Sequence, residues 1–214
     1  MFTLYQKIYT PNILFSSTSQ QQFIYIPTGS NFNEVVEILN NTGLLININS
    51  FEWVAKQKKY VQNIKPGKYK ISKSLSNNEL VNLLRSGNQT VVSVTFNNLR
   101  NKEDFAGIIS NQLEIDSVEI LDYLEDFIHR NNQLNLTEDN IVCLFIPNTY
   151  EFYWNVKVGS FMKRMLKEYN RFWNESRERK LSQVNKDYKL DMNRYQLSIL
   201  ASIVEKEQNI RTDE

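Results

Sequence analysis

Residues 23–31 read FIYIPTGSN, and this stretch sets the start of the fold. The apolar run 23–26 predicts a short strand, which the following proline and glycine stop. Ser30 or Asn31 then caps a helix that ends at Gly43. The apolar residues of that helix follow helical spacing; they are Val35, Val36, Ile38 and Leu39.

A second helix and a second strand complete this pattern. The helix is predicted over residues 50–59. After the turn Lys65-Pro66-Gly67, residues 68–71 alternate polar and apolar side chains, as a half-buried strand does. The order strand, helix, helix, strand predicts a compact βααβ unit with both helices packed on one face of a small antiparallel sheet.

Capping residues mark the next helix. Ser76 with Glu79 three positions later is a capping-box signature, and it predicts a helix over residues 80–84 that Gly87 ends. We place a domain boundary close to this glycine, between residues 88 and 89.

The second half of the chain mixes one clear strand with longer helices. Residues 91–96 are rich in β-branched side chains, and residues 102–113 predict a helix with further helical chain up to residue 130. Residues 145–154 are dense in aromatic and polar groups and predict a strand or loop that lines a surface. Residues 159–180 are amphipathic and predict one long helix with a solvated basic face.

Composition excludes several classes of protein. With 41% apolar and 23% charged residues the chain is globular, and a net charge of +1 offers no broad basic field for nucleic acid. Cys143 and His129 are the only residues of their types, which excludes an internal disulfide and a cysteine-rich zinc site. Their surroundings suggest a buried hydrophobe and a surface residue, so we expect no triad chemistry, metal or cofactor.

The last helix carries two candidate carboxylates. Its apolar residues Ile199, Leu200, Ile203 and Val204 share one face, and at 100° per residue Glu207 falls at about 80°, inside that stripe. Glu205 falls at about 240°, on the opposite side. If the stripe is buried, Glu207 is desolvated, as a general acid requires. If the stripe reaches solvent at the helix end, or if Glu207 pairs with Arg211, its role is structural.

Residues 200–207, LASIVEKE, resemble the ASIVEKE signature of endolytic murein transglycosylases of the MltG/YceG-like family. Three shorter segments resemble other family motifs in the same order: KPGKY at 65–69, LLRSG at 83–87 and FIPNTY at 145–150. The resemblance extends from about residue 23 to Glu207.

The resemblance implies an α+β fold with a LysM-like βααβ subdomain followed by a mixed α/β catalytic domain. Residues 1–22 would then be a membrane-proximal segment, residues 23–88 the LysM-like subdomain and residues 89–214 the catalytic domain. The family continues past the signature through segments that complete its cleft. We therefore expect this chain to lack part of the substrate site.

The family's activity implies a role for Glu207 as the catalytic acid. Its members cleave the β-1,4 bond between N-acetylmuramic acid and N-acetylglucosamine, form a 1,6-anhydro end and so terminate glycan elongation. Tyr150, Glu151 and Tyr153 are candidates for the saccharide groove, because aromatic faces stack on sugar rings. The alternative for these three residues is packing within the protein.

Partners and location follow from the same resemblance. The family implies peptidoglycan strands as substrate, peptidoglycan synthases as partners and a single-pass inner-membrane anchor ahead of a periplasmic region. A rival interpretation is a non-catalytic glycan-binding or scaffold module of the cell envelope. A concave, partly apolar cleft around Glu207 would favour the enzyme, and a fully exposed Glu207 would favour the module.

Overall fold

The computed structural model describes residues 4–14, 21–97, 99–131 and 135–212, without the side chains of residues 21, 205, 206 and 209–212. In these ranges the chain is an α+β protein. Its strands are β1 (Gln21–Ile26), β2 (Gly67–Ser72), β3 (Val91–Phe96) and β4 (Asn148–Tyr153). Its α-helices are α1 (Leu4–Tyr9), α2 (Phe32–Asn41), α3 (Ile48–Gln57), α4 (Asn77–Ser86), α5 (Lys102–Ser110), α6 (Ser117–Arg130), α7 (Val158–Phe172), α8 (Glu175–Tyr188) and α9 (Arg194–Thr212).

The chain divides into two compact units. Residues 1–92 and 151–155 form the first unit, and residues 93–150 and 156–214 form the second. Two two-stranded sheets are present in the described residues, β1 with β2 and β3 with β4. None of the helices in these ranges is long and apolar enough to cross a membrane.

The first unit contains the βααβ motif that the sequence predicts. Strands β1 and β2 pair antiparallel, with Ile24 opposite Tyr69 and Ile26 opposite Gly67. One face of this sheet packs into a core with α2, α3 and α4. That core contains Ile24, Ile26, Val35, Leu39, Phe51, Val54, Ala55, Tyr69, Ile71, Leu80, Val81 and Leu84. Because the two strands alternate, the opposite side chains point outward.

The predicted helix caps are confirmed. Asn31 caps α2 and Ser76 caps α4, and each forms a reciprocal capping box with a glutamate three residues later. Gly87 follows α4 with φ of +72°, a backbone conformation that glycine adopts at little cost. These local interactions explain why both helices begin where the sequence indicates.

A buried pair of asparagines joins four segments of the first unit. Asn12 donates to the side-chain oxygen of Asn77 at 2.7 Å and also to the carbonyl oxygen of Asn47 at 3.0 Å. Asn77 in turn donates to the carbonyl oxygen of Lys7 at 2.9 Å and to Oγ of Ser50 at 2.8 Å. Buried amides are stabilising only when their hydrogen bonds are satisfied, as they are here. The network therefore fastens α1 and the segment after it to α3 and α4.

Replacement of Asn77, which is 1% exposed, by alanine should leave buried partners of this network unpaired. We expect Asn77→Ala to lower the free energy of unfolding by about 2–3 kcal/mol. Asn82→Ala, on the exposed side of the same helix, is the matched control and should change it by less than about 0.5 kcal/mol. Urea unfolding of both variants measures the difference. Equal losses would show that the buried network contributes nothing specific.

The second unit is built around aromatic side chains. Phe105 of α5 stacks on Phe145 with ring centroids 3.7 Å apart, and Phe96 of β3 meets Phe105 edge to face at 5.7 Å. Phe161 of α7 completes this cluster, 5.9 Å from Phe105. Aromatic pairs in these geometries add stabilisation to the burial of their area. The FIPNTY segment therefore supplies part of this core through Phe145.

Two helix predictions for this unit are wrong in detail. The amphipathic segment 159–180 is not one helix, because Asn174 accepts hydrogen bonds from the backbone N–H groups of Ser176 and Arg177 and so begins α8 as a separate helix. The helix predicted over 102–113 ends earlier, at residue 110, whereas the further helical chain up to residue 130 is confirmed as α6, which Asp116 caps. Between α7 and α8 a side-chain cap interrupts a pattern whose apolar spacing alone appears continuous.

Candidate functional site

Helix α9, which contains the LASIVEKE segment, begins at a reciprocal cap. The side chain of Asn193 accepts from the backbone N–H of Gln196 at 3.0 Å, and the side chain of Gln196 accepts from the N–H of Asn193 at 2.9 Å. This pair satisfies backbone donors that a helix leaves unpaired in its first turn. The helix then continues for 19 residues.

Aromatic and charged contacts fasten the first turn of α9 to α7 and α8. The ring of Tyr195 stacks on that of Tyr169, with centroids 6.3 Å apart. The Arg194 guanidinium lies 2.5 Å from a carboxylate oxygen of Glu178. It also lies 5.9 Å from the ring centroids of both Tyr169 and Trp173, within range of a cation–π interaction. The beginning of α9 is therefore firmly held in the second unit.

The two tyrosines of this anchor are structural. Burial raises the pKa of Tyr169, and burial likewise raises the pKa of Tyr195, so both phenols stay protonated near neutral pH. A phenol held neutral cannot serve as a base there. Both residues therefore contribute to the anchor through the packing of their rings.

The apolar stripe of α9 is exposed beyond this anchor. Ile199, Leu200, Ile203 and Val204 are 43%, 44%, 53% and 49% exposed, and Glu207 on the same stripe is also exposed. Of the two interpretations that periodicity left open, the structure matches the one in which the stripe reaches solvent. The desolvation expected of Glu207 is therefore not found in this chain. The side chains of Glu205 and Arg211 lie outside the described residues.

The three candidate groove residues on β4 fall on opposite faces. Tyr150 is buried, donates to the carbonyl oxygen of Ile146 at 2.6 Å and stacks on Phe96 at 5.4 Å. Its contacts are those of a packed core residue. Glu151 and Tyr153 are exposed on the other face of the strand and belong to the first unit, whereas Glu207 belongs to the second. Only Glu151 and Tyr153 are thus placed to meet a ligand.

The other reactive residues have ordinary surroundings. Cys143 is half-buried, and burial raises the pKa of its thiol, which disfavours the thiolate that a nucleophile needs. His129 is exposed on α6. The described part of the chain contains no group of three or more histidine, cysteine or acidic residues arranged to hold a metal ion.

Sequence reasoning missed the residues that hold α9. Tyr169 and Glu178 lie in the predicted helix 159–180, and Arg194 immediately precedes the apolar residues that predict the last helix. The one local signal was Asn193 with Gln196 three positions later, which has the spacing of a capping box. The contacts of Arg194 with Glu178 and of Tyr195 with Tyr169 could not be predicted from the spacing of residues along the chain.

These features define a class: a two-unit α+β protein with a βααβ first unit and an anchored helix, α9, that carries the candidate acid Glu207. The YceG-like family model matches residues 24–214. The chain belongs to the YceG-like family.

One solved structure with detectable similarity is a yceG-like protein from Listeria monocytogenes. It is 18% identical, with a TM-score of 0.40, and the match covers 77% of this chain and 59% of that one. The chain therefore spans less than two thirds of the length of that relative. No curated protein sequence matches significantly.

The anchor of α9 yields a stability test with a matched control. Tyr195→Ala should remove the buried ring that packs on Tyr169 and lower the free energy of unfolding by about 2–4 kcal/mol. Amide hydrogen exchange should accelerate throughout α9 because its first turn is released. Tyr188→Ala removes the same side chain where it is 73% exposed and should cost less than about 0.5 kcal/mol. Unchanged exchange in α9 of Tyr195→Ala would refute the anchor.

Proposed function

We propose that this chain is part of an endolytic lytic transglycosylase of peptidoglycan, with Glu207 as its catalytic acid. The observation that carries the proposal is the LASIVEKE segment on a continuous helix of a chain that belongs to the YceG-like family. Within that segment, Glu207 shares the helix face of the apolar side chains. The proposed product is a strand ending in 1,6-anhydro-N-acetylmuramic acid, and the proposed biological effect is termination of glycan elongation.

One carboxyl group is sufficient for this reaction. Glu207 donates its proton to the glycosidic oxygen as the bond from that oxygen to C1 of the muramoyl residue breaks. The resulting carboxylate takes the proton of the muramoyl 6-hydroxyl. The oxygen of that hydroxyl bonds to C1 at the same time and closes the anhydro ring. Glu207 ends protonated and no water is consumed, unlike the hydrolytic glycosidases that use two carboxylates.

The exposure of Glu207 sets a condition on this chemistry. A general acid must retain its proton near neutral pH, and desolvation is the usual means of achieving this. In this chain the carboxyl and the apolar stripe beside it face solvent. The proposed reaction therefore requires substrate or further protein surface to cover this face of α9 while the bond is cut.

The second candidate function is a non-catalytic glycan-binding or scaffold module. The exposure of Glu207 favours it, because a solvated carboxylate at a helix surface is a common feature without catalytic meaning. In this alternative α9 is structural and the βααβ unit is the functional part. The two candidates differ in one measurable property, which is cleavage of glycan.

In the full-length protein we expect Glu207→Gln to abolish cleavage while Glu205→Gln retains most of it. The amide keeps the shape of the side chain but has no proton to transfer, so the rate should fall by about 10²–10⁴-fold. Chromatography of digested peptidoglycan, with detection of anhydro-ended products, measures both rates. Because Glu207 is exposed, its replacement should change the free energy of unfolding by less than about 0.5 kcal/mol.

The pair of variants also separates the two candidate functions. If wild-type protein releases no anhydro ends but still binds peptidoglycan, the module is correct. If Glu205→Gln is the inactive variant, the acid has been assigned to the wrong carboxylate.

We also propose that the parent protein is held in the bacterial inner membrane with this region in the periplasm. The support is its membership of the YceG-like family. The proposed substrate also lies outside the cytoplasm. Fractionation of cells expressing the whole protein should recover it with inner-membrane vesicles. External protease added to spheroplasts should digest this region. Recovery in the cytosol would contradict the proposal.

A further inference from the structure

The first unit exposes a group of large apolar side chains to solvent. Although its sheet and helices bury a continuous core, side chains of α1, of the segment after it and of the loop before α3 are more than half exposed. We call this group the apolar rim; its members are Leu4 at 63%, Tyr5 at 70%, Tyr9 at 54%, Leu14 at 59% and Ile46 at 59%. Exposed apolar groups that occur together mark contact surfaces more often than single ones do.

Hydrogen bonds hold the segments of the apolar rim in place. The backbone N–H of Ile46 donates to the carbonyl oxygen of Asn12 at 3.0 Å. The side chain of Asn12 donates to that of Asn77, which in turn donates to the carbonyl oxygen of Lys7 in α1. The buried asparagine pair therefore joins α1 to the loop before α3. The rim is a fixed surface of the first unit and not a set of side chains on a loose tail.

The residue types of the rim are those of a membrane interface. Tyrosine has an apolar ring and a polar hydroxyl, and it is enriched where the hydrocarbon of a bilayer meets the headgroups. Tyr5 and Tyr9 lie together on α1, with ring centroids 5.2 Å apart. With six residues α1 is far shorter than the roughly 20 residues that cross a bilayer. Its contact would therefore be with the interface.

The charge of the first unit fits an anionic surface. The unit has nine lysine and arginine residues against five glutamates, a formal net charge of +4, although the whole chain has only +1. A bilayer that contains anionic lipid attracts basic groups within about a Debye length of its surface. The charge would bring the unit to the bilayer, and the rim would provide the apolar contact.

The area of the rim is small for a contact between two protein copies. Its five side chains expose roughly 500–600 Å², whereas a stable protein interface buries roughly 800 Å² on each partner. A bilayer sets no such threshold, because every apolar group that leaves water contributes to binding. Area, residue type and charge all favour a bilayer as the occupant of this surface.

We propose that the apolar rim lies in the headgroup region of a lipid bilayer and holds the first unit against the membrane surface. The rings of Tyr5 and Tyr9 would lie at the boundary between headgroups and hydrocarbon, with Leu14 and Ile46 beside them. The folded unit itself makes this contact, in addition to any membrane-spanning anchor. The inference rests on the proposed membrane location and not on glycan cleavage.

Sedimentation of the 214-residue chain with lipid vesicles tests this contact. We expect binding to phosphatidylglycerol vesicles to be about 5- to 10-fold tighter than binding to phosphatidylcholine vesicles, with the difference falling as salt rises. Tyr5→Ser with Tyr9→Ser should weaken binding to both kinds of vesicle by about 10-fold or more, because two rings no longer leave water. Leu14→Ser with Ile46→Ser should have a similar effect, although both residues lie outside α1.

Tyr153→Ser with Tyr188→Ser is the matched control. These two tyrosines are 55% and 73% exposed, close to the values for Tyr9 and Tyr5, and they lie outside the rim. Their replacement should leave binding to both kinds of vesicle unchanged. Circular dichroism confirms that each variant is folded.

Amide hydrogen exchange locates the contact independently. Vesicles should slow exchange in residues 4–14 and 44–47 and leave α2 unchanged. Absence of binding to both kinds of vesicle, or an equal loss in the two tyrosine pairs, would overturn the inference. So would a dimer that Tyr5→Ser with Tyr9→Ser dissociates in a protein that binds no vesicles, which would make the rim an interface between copies of this chain.

Vesicle binding and cell fractionation separate this inference from the proposed location. Vesicle binding through the rim, with recovery of the whole protein in the cytosol, would refute the proposed location alone. Recovery of the whole protein in the inner membrane, with no binding of the 214-residue chain to vesicles, would refute only this inference.

Discussion

The antiparallel pairing of β1 with β2 is the constraint on which the first unit depends. Because side chains alternate across a strand, the register that places Ile24 opposite Tyr69 sends both into the core with α2, α3 and α4. The same register necessarily places Phe23, Tyr25, Lys68 and Lys70 outside. A slip of one residue would exchange the two faces and bury both lysines. The outward position of these four side chains is therefore a direct consequence of forming the core.

In the second unit, the long helix α9 is attached to its neighbours through its first turn. Tyr195 and Arg194 attach the first turn of α9 to α7 and α8, and the helix beyond them shows its apolar stripe to solvent. Exposed apolar stripes are costly in water and are common where another surface binds. The candidate acid lies on this stripe, so whatever covers the stripe would also change the solvation of Glu207.

Much of the fold could be predicted from local sequence. The strands 23–26, 68–71 and 91–96 fall inside or on the observed strands, and the caps at Asn31 and Ser76 are where the sequence indicates. Errors arose where a capping side chain interrupts a continuous apolar pattern, as Asn174 does between α7 and α8. The spacing of apolar residues indicates which face of a helix is apolar. A cap ends or begins a helix through a side-chain hydrogen bond to the backbone, and the apolar spacing does not indicate where that hydrogen bond forms.

For the candidate site the sequence by itself determined the helix, the position of Glu207 on its apolar face and the family signature, because these depend on residue spacing within one segment. It also predicted that Tyr150 and Glu151 lie together in a strand or loop. Only the tertiary structure decided that Tyr150 packs on Phe96, that Arg194 meets Glu178, and that the stripe beside Glu207 faces solvent. The burial of a side chain depends on which distant segments of the chain cover it. The spacing of residues within one helix does not indicate which segments those are.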